Sequence, residues 1–444
     1  MSYRDIDEMA DEAYIYLYPL VIMEVTKRQL RATTTPKDDG SGNLFVHQMN
    51  TATDKWRSVA RPNIDTLFSP AWVDLSVGPA MLTLPPSGDR YHMFQMLDFW
   101  TDTFAVPGSR SNGQEGLKAK FVGPGWESAL DADDGEDIAL FCPTPTMWIL
   151  GRTAATSAED LQGAREFVNG CSIVSLNDGG FAGEPTSLSD DERSTAPVAY
   201  VDAMSAPDFY EAAARLLWRE GPHGSDGSVL MRLHDLGIRR GHEFRFADQS
   251  TEVQTALTAS LERGQQAVLR SLAPGSGKAK DSVNGWTYST DSVGIWGNNY
   301  LRRAAVARFG LAANPKEDAV YLQPQVDSDG ERLDGGNSYV IHFEPGGTPP
   351  AKAFWSITIY DRTGFLIANE LERFGLRSRD ALRHNEDGSL DIYLGPECPD
   401  PRGDSNWIPT VPGRIFGSMR IYMPKNEYLT GDWTPPLIAK ISGN

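Results

Sequence analysis

Cysteine is scarce in this chain: Cys142, Cys171 and Cys398 are the three among 444 residues. Their odd number, wide spacing and lack of a CxxC pair exclude a disulfide framework and a thiolate zinc site. Basic residues are outnumbered, with 41 Lys and Arg against 60 Asp and Glu, for a net charge of −19. No basic stripe offsets that repulsion, which argues against nucleic acid and anionic membranes as partners. Long apolar runs are missing as well. The most apolar stretch, Ala13 to Val25, is about thirteen residues and contains Pro19, whereas spanning a bilayer takes about twenty. The opening MSYRDIDEMADEAY is acidic and polar, unlike a secretory signal. The expectation is a cytoplasmic protein.

The catalytic signatures that are easiest to read are also absent. There is no GxSxG elbow, no P-loop, no HExxH and no GxGxxG opening a helix after a strand. Of seven histidines, His234 and His242 are eight apart with Gly237 and Gly241 between them, a poor ligand pair for one helix. No metal and no cofactor are expected on these grounds.

What is present is a polar, aromatic-rich run inside strand-like sequence. RPNIDTLFSPAWVDL covers Arg61 to Leu75, and RYHMFQMLDFWTDTFAVPGSR covers Arg90 to Arg110. Strands that only build a core alternate apolar and polar residues. Here Arg61, Asn63, Asp65, Thr66, Gln95, Asp98, Thr101, Asp102 and Arg110 interrupt apolar strands beside Tyr91, Phe94, Phe99, Trp100 and Phe104. An unpartnered buried charge is costly. Such groups therefore either pair with one another or line a cavity. If the strand continues through it, Asp98 and Trp100 share a face, opposite Phe99 and Thr101.

The surrounding pattern is β-rich, then helical, then β-rich. Residues 5–31 read as a helix with Ile6, Met9, Ala13 and Leu17 on one face and a bend near Pro19. Residues 43–155 carry short apolar runs separated by Gly, Pro, Asn and Asp. Ser157 and Asp160 signal a helix start, and 177–195 reads as a long loop. From Ala206 to Phe309 the pattern is helical. It includes a helix over GIWGNNYLRRAAVARFG that sets Trp296, Asn299, Tyr300 and Arg303 at spacings of three and four. Strands return from Asp318, among them LIAN and AFWSITIYD. The expected fold class is mainly β with a helical middle segment (α+β), with β-sandwich or jelly-roll domains at both ends. The expected units are 1–195, 196–312 and 313–444.

Two long motif sets resemble a known pairing. RPNIDTLFSPAWVDLSVGP with RYHMFQMLDFWTDTFAVPGSRSNG resembles the domain-of-unknown-function family numbered 1254. NPKEDAVYLQPQVDSDGERLDGGNSYVIHFEPGGTPPAKAFWSITIYD, followed by NEDGSL, NWIP and RIYMP, resembles its companion numbered 1214. The resemblance implies β-sandwich or jelly-roll architecture at both ends and carries no settled reaction. The motifs match at Arg61, Pro62, Asn63, Asp65, Thr66, Asp98, Thr101 and Arg110, and at Phe354, Trp355, Ser356, Tyr360, Asn406 and Trp407. Phe68 departs from the pattern, where tyrosine is expected.

The expected function is a cofactor-independent enzyme acting on a small organic molecule, sugar-like or a secondary metabolite, as a hydrolase, lyase or isomerase. Asp98 is the candidate general acid or base, with Asp65 tuning its proton affinity and Arg61 or Arg110 holding an oxygen. Asn63, Thr66, Gln95, Thr101, Asn299, Tyr300 and Tyr360 are candidate substrate contacts. Trp100, Trp296, Trp355 and Trp407 are candidate stacking platforms, and Arg373 is a candidate anion clamp. The site is expected between the N-terminal β-domain and the C-terminal segments. The alternatives are a non-catalytic carbohydrate or small-ligand binder, a mainly structural subunit, a homo-oligomer rich in exposed aromatics, and a metal enzyme in which Asp65, Asp98 and Asp102 converge. Bidentate Arg–Asp pairs joining two strands are the plain structural reading of the same residues.

Overall fold

The computed structural model describes residues 5–33, 41–57, 60–157, 159–177, 188–271, 282–288, 293–400 and 403–441. Helix α1 (Ile6–Thr33) runs through Pro19 without interruption. From Ala13 to Thr26 it is buried on nearly every side, so the single apolar face expected from the sequence widens to the whole circumference of its middle.

Strands β1 (Thr66–Asp74), β2 (Ala80–Leu84), β3 (His92–Leu97), β4 (Thr103–Ala105), β5 (Leu117–Val122), β6 (Ile138–Phe141), β7 (Thr146–Ala154) and β8 (Ser172–Ser175) form two four-stranded sheets. Their orders are β1-β7-β3-β4 and β6-β5-β2-β8. Leu67, Val73, Phe94 and Ile149 of one sheet face Leu82, Ala119, Phe121 and Ile173 of the other, which is a β-sandwich. Helix α2 (Asp160–Gly170) follows β7, and Ser157 Oγ accepts from Asp160 N at 3.1 Å, as its capping pattern requires.

The loop expected over 177–195 lies partly outside the described residues. Its end forms the short helix α3 (Asp190–Ser194). Then come α4 (Pro197–Asp202), α5 (Ala206–Glu220), α6 (Gly227–Asp235), α7 (Thr251–Ser271) and α8 (Tyr300–Phe309). α1 packs against α4 to α8 and closes this layer.

The C-terminal strands are β9 (Ser282–Val283), β10 (Trp286–Thr287), β11 (Ala319–Pro324), β12 (Ser338–Phe343), β13 (Ala351–Tyr360), β14 (Gly375–Arg377), β15 (Leu390–Gly395), β16 (Trp407–Pro409), β17 (Phe416–Pro424) and β18 (Ile438–Ile441). They pair as β14-β13-β17-β11-β10-β9 and β16-β15-β12-β18 around a core that includes Trp355, Ile357, Ile392 and Ile421. LIAN forms no strand; Leu366 makes one isolated bridge to Tyr360. The fold is thus β-rich at both ends with helices between, and neither sandwich closes into a barrel. Among the described residues no helix is long and apolar enough to cross a membrane.

One sheet positions everything that follows. The outward residues at one end of β1-β7-β3-β4, Trp72, Trp148 and Leu97, share a core with the helices. At the other end Tyr91, Met93 and Ala154 pack on Ala319, Phe354 and Tyr422 of the second sandwich. The same strands therefore carry two interfaces, and polar residues collect at both.

Candidate functional site

The expected residues do not meet around one cavity. Thr66 pairs with Ala154, and Leu97 pairs with Trp148 on the same strand β7. Six residues of strand put Asp65 and Asp98 about 20 Å apart. Asp65 therefore cannot tune Asp98 by contact.

At the second-sandwich end Asp65 is buried and saturated. Its Oδ2 accepts from Ser356 Oγ (2.6 Å) and Tyr422 OH (3.0 Å), and its Oδ1 accepts from Arg377 Nε (3.1 Å). Asn63 donates to Tyr422 OH and caps the turn by accepting from the Asp65 and Thr66 amides. Tyr360 donates to Pro62 O and accepts from Arg420, whose other arm reaches Thr358. Arg61 lies over the Phe416 ring and donates to Gln323. Thr66 is buried beside this group. Arg110 stands apart in a bidentate pair with Asp318, at 2.6 and 2.9 Å. Phe68 places its ring under the Arg152 guanidinium, 4.7 Å from centroid to carbon, a contact that needs no tyrosine hydroxyl.

Three other candidates sit within the second sandwich. Trp355 packs on Phe343 in its core. Arg373 donates to the carbonyls of Asp404 and Trp407, and Trp407 Nε1 donates to Gly395 O. These are backbone clamps.

The helix end is different. β3 stops at Leu97, and Asp98–Asp102 form a tight turn: Thr101 has φ 71°, Asp98 N donates to Asp102 O, and Thr101 N donates to Asp98 O. The alternation expected for Asp98 and Trp100 fails because the side chain of Asp98 turns back on the chain. Its Oδ1 accepts from the amides of Trp100 (2.9 Å) and Asp102 (3.0 Å). Asp98 Oδ2 lies 2.6 Å from Nε2 of His223. His223 belongs to the connection between α5 and α6. That connection is pinned by Glu220, which accepts from the Thr146 amide and hydroxyl, by Trp100 Nε1 donating to Gly221 O, and by His223 N donating to Asp226 Oδ2. Nδ1 of His223 faces Asp102 Oδ2 at 4.0 Å.

Trp296 clamps the turn, with its amide donating to Asp102 Oδ1 (2.7 Å) and its indole to Thr101 O (2.9 Å). Gln95 bridges Thr103 and Ala313 O. The helix expected over GIWGNNYLRR begins only at Tyr300. Gly294 and Gly297 have positive φ, and Asn299 Oδ1 caps the helix by accepting from Arg302 N. Trp296 and Asn299 thus precede the helix instead of sharing its face. Tyr300 and Tyr16 both donate to the buried carboxylate of Asp226. Arg303, 0% exposed, lies over the rings of Trp100 (4.6 Å), Tyr300 (5.1 Å) and Tyr16 (5.4 Å). Its Nη1 is 3.8 Å from Asp102 Oδ2, an ion pair without a hydrogen bond. Asn299 and Tyr300 also line an open, acidic cleft of about 400 Å³ with Glu8, Asp11 and Glu12.

Burial, then the neighbouring Asp98 charge, push the Asp102 carboxyl up to about 6 against the pull of the Trp296 amide, Arg303 and His223. Burial opposes a proton on His223, but its hydrogen bond to Asp98 and the two carboxylate charges outweigh it and raise the imidazole. Ligand atoms of Asp98, Asp102 and His223 lie within 4.8 Å of one another, a spacing that a divalent cation could occupy. Asp65 contributes nothing to that set. Both Asp98 oxygens are already bonded, and the Arg303 charge beside Asp102 opposes a second cation.

His223, Arg303 and Asp226 complete this group. Arg303 has a signal in its spacing from Tyr300; His223 and Asp226 have none beyond their residue types.

Two family models match: the protein of unknown function DUF1254 over residues 42–175 and the protein of unknown function DUF1214 over 318–426. No curated protein matches. A crystal structure of a Vibrio parahaemolyticus protein superposes with a TM-score of 0.74 at 21% identity, covering 99% of this chain and 100% of that one. It shares the fold over the full length. An uncharacterised protein from Burkholderia cenocepacia gives a TM-score of 0.45 at 13% identity, over 97% and 88% of the two chains. The chain thus carries a DUF1254 region in its N-terminal part and a DUF1214 region in its C-terminal part.

Proposed function

We propose that the Asp98–His223–Asp102 group is the proton-transfer centre of an enzyme acting on a small organic molecule. The observation that carries this reading is His223 itself, fixed by Asp98 at 2.6 Å with its other nitrogen turned toward Asp102. Two titratable groups side by side, both with raised proton affinity, are what acid–base catalysis can use. His223 keeps 18% exposure, an approach from solvent through the imidazole, while Asp102 Oδ2 lies buried behind it. Asp98, bonded on both oxygens, orients the imidazole; His223 and Asp102 exchange protons with the substrate. Hydrolysis, elimination and isomerisation all use such a pair, and the protein's own side chains supply the acid and base without a cofactor. The site lies between the first sandwich and the helices.

The test compares wild type and His223→Gln in a mixture of small metabolites followed by mass spectrometry. The expected result is a compound consumed by wild type and spared by a folded His223→Gln. Equal consumption by both would sink the proposal. A compound that binds both proteins and is never converted would favour the non-catalytic binder.

A further inference from the structure

Polar groups from separate parts of the chain converge without bonding at the Asp98 turn. All three Arg303 nitrogens, Nε, Nη1 and Nη2, lack an acceptor among the described residues, as Asp102 Oδ2 lacks a donor. The rings around Arg303 balance its charge through their faces, but they do not accept its in-plane N–H bonds. Buried donors and acceptors in native proteins are overwhelmingly bonded. Here the basic nitrogens facing Asp102 Oδ2 are Arg303 Nη1 at 3.8 Å and His223 Nδ1 at 4.0 Å. Those separations are too long for direct hydrogen bonds and suit one bridging atom at about 2.8 Å from each.

The chemistry of the partners selects that atom. Arg303 only donates, so it needs an acceptor. An ionised Asp102 only accepts, so it needs a donor. A carbonyl oxygen meets the first need and not the second. An ammonium group or metal ion meets the second and is repelled by Arg303. A hydroxyl oxygen meets both.

We infer that Arg303, Asp102 and His223 hold one O–H oxygen, from water or from an alcohol group of the substrate. The inference deepens the proton-transfer reading, on which its catalytic meaning rests. In the step it implies, the O–H bond breaks and the proton forms the carboxylic acid of Asp102. The electron pair stays on the oxygen, facing the guanidinium, which stabilises the developing negative charge.

The test is a high-resolution crystal structure of the full chain at pH 7.5, alone and soaked in methanol. The expected result is an oxygen within about 3.2 Å of both Asp102 Oδ2 and Arg303 Nη1. Replacement by methanol assigns the oxygen to a substrate alcohol; persistence of water assigns it to solvent and points to hydrolysis or hydration. A direct Arg303–Asp102 hydrogen bond with no atom between them overturns the inference. In Arg303→Met the oxygen should be lost, and the NMR titration midpoint of His223 should rise as a neighbouring positive charge disappears. An oxygen that persists with an unmoved midpoint also overturns it. An occupied oxygen site in a protein that converts nothing would instead defeat the proton-transfer reading. Turnover with Arg303 bonded directly to Asp102 would defeat this one alone.

Discussion

The two ends of the β1-β7-β3-β4 sheet put the same residue types to opposite uses. At one end Asp65 meets Arg377, Ser356 and Tyr422, and Arg420 meets Thr358 and Tyr360, with both Asp65 oxygens bonded. At the other end Asp102 and Arg303 stand 3.8 Å apart, each with polar atoms unspent. Arg420 Nε and Thr66 Oγ1 also stay unbonded at the first end, so the contrast lies in the carboxylates: Asp65 is saturated and Asp102 Oδ2 is not. A fully bonded buried ion pair fixes how two sheets dock, while an incompletely bonded one keeps capacity for something that arrives.

The largest effect that would sharpen this contrast is expected from Asp65→Ala. It takes from Arg377 the closer of its two carboxylates and leaves buried Ser356 and Tyr422 without their acceptor, and should cost about 3–5 kcal/mol in urea denaturation. A loss under about 1 kcal/mol would mean the second sandwich docks without this cluster.

Next in size is Asp102→Asn. The Asp102 carboxyl rises from an ordinary 3.8 to about 6 in the folded protein. The folded state thus binds the proton more tightly, so this group's contribution is full below pH 4 and is lost as pH climbs through 6. Wild type should lose up to roughly 3 kcal/mol over that window through this group. The Asn variant should match wild type near pH 4 and exceed it at pH 8. Parallel pH–stability curves would break the argument.

A smaller effect is expected at Arg303→Met, within about 1 kcal/mol of wild type, because removing a buried charge that no protein group hydrogen-bonds offsets the forfeited cation–π attraction. Arg420→Met, which removes several hydrogen bonds, should cost distinctly more. Equal destabilisation by the two variants would erase the distinction between the two ends. The smallest change is Thr101→Gly. A β-branched residue at φ 71° is strained, so glycine should add about 1 kcal/mol to the thermal stability measured by calorimetry.

The strands are legible in the sequence because burial obeys period two. In β1, Leu67, Ser69, Ala71 and Val73 are buried while Phe68, Pro70, Trp72 and Asp74 are less so. The helices α5, α6 and α7 follow their apolar spacing in the same way. The start of α8 is not legible from spacing, which carries Trp296 and Asn299 into the helix, while Gly294, Gly297 and the Asn299 cap govern where it begins. At the site, Asp98, Trp100, Thr101 and Asp102 stand out because they break a strand pattern. Asp65, Arg61 and Asn63 break it as well, but at the far end of the sheet, and separation in sequence does not reveal direction along a strand. His223 is invisible for a physical reason. It sits in a short connection between helices, where no periodicity exists to be broken, and its partner is 125 residues away.

Asp98 and Asp102 come from a turn of the first sandwich, His223 from the connection between two helices and Arg303 from the first turn of another. None of these parts can assemble the reactive group alone. The proposed proton-transfer group therefore exists only where the helical layer is docked onto the sheet. On the proposed reading, loosening that single seam, with both sandwiches and every helix intact, would disperse the proton-transfer group.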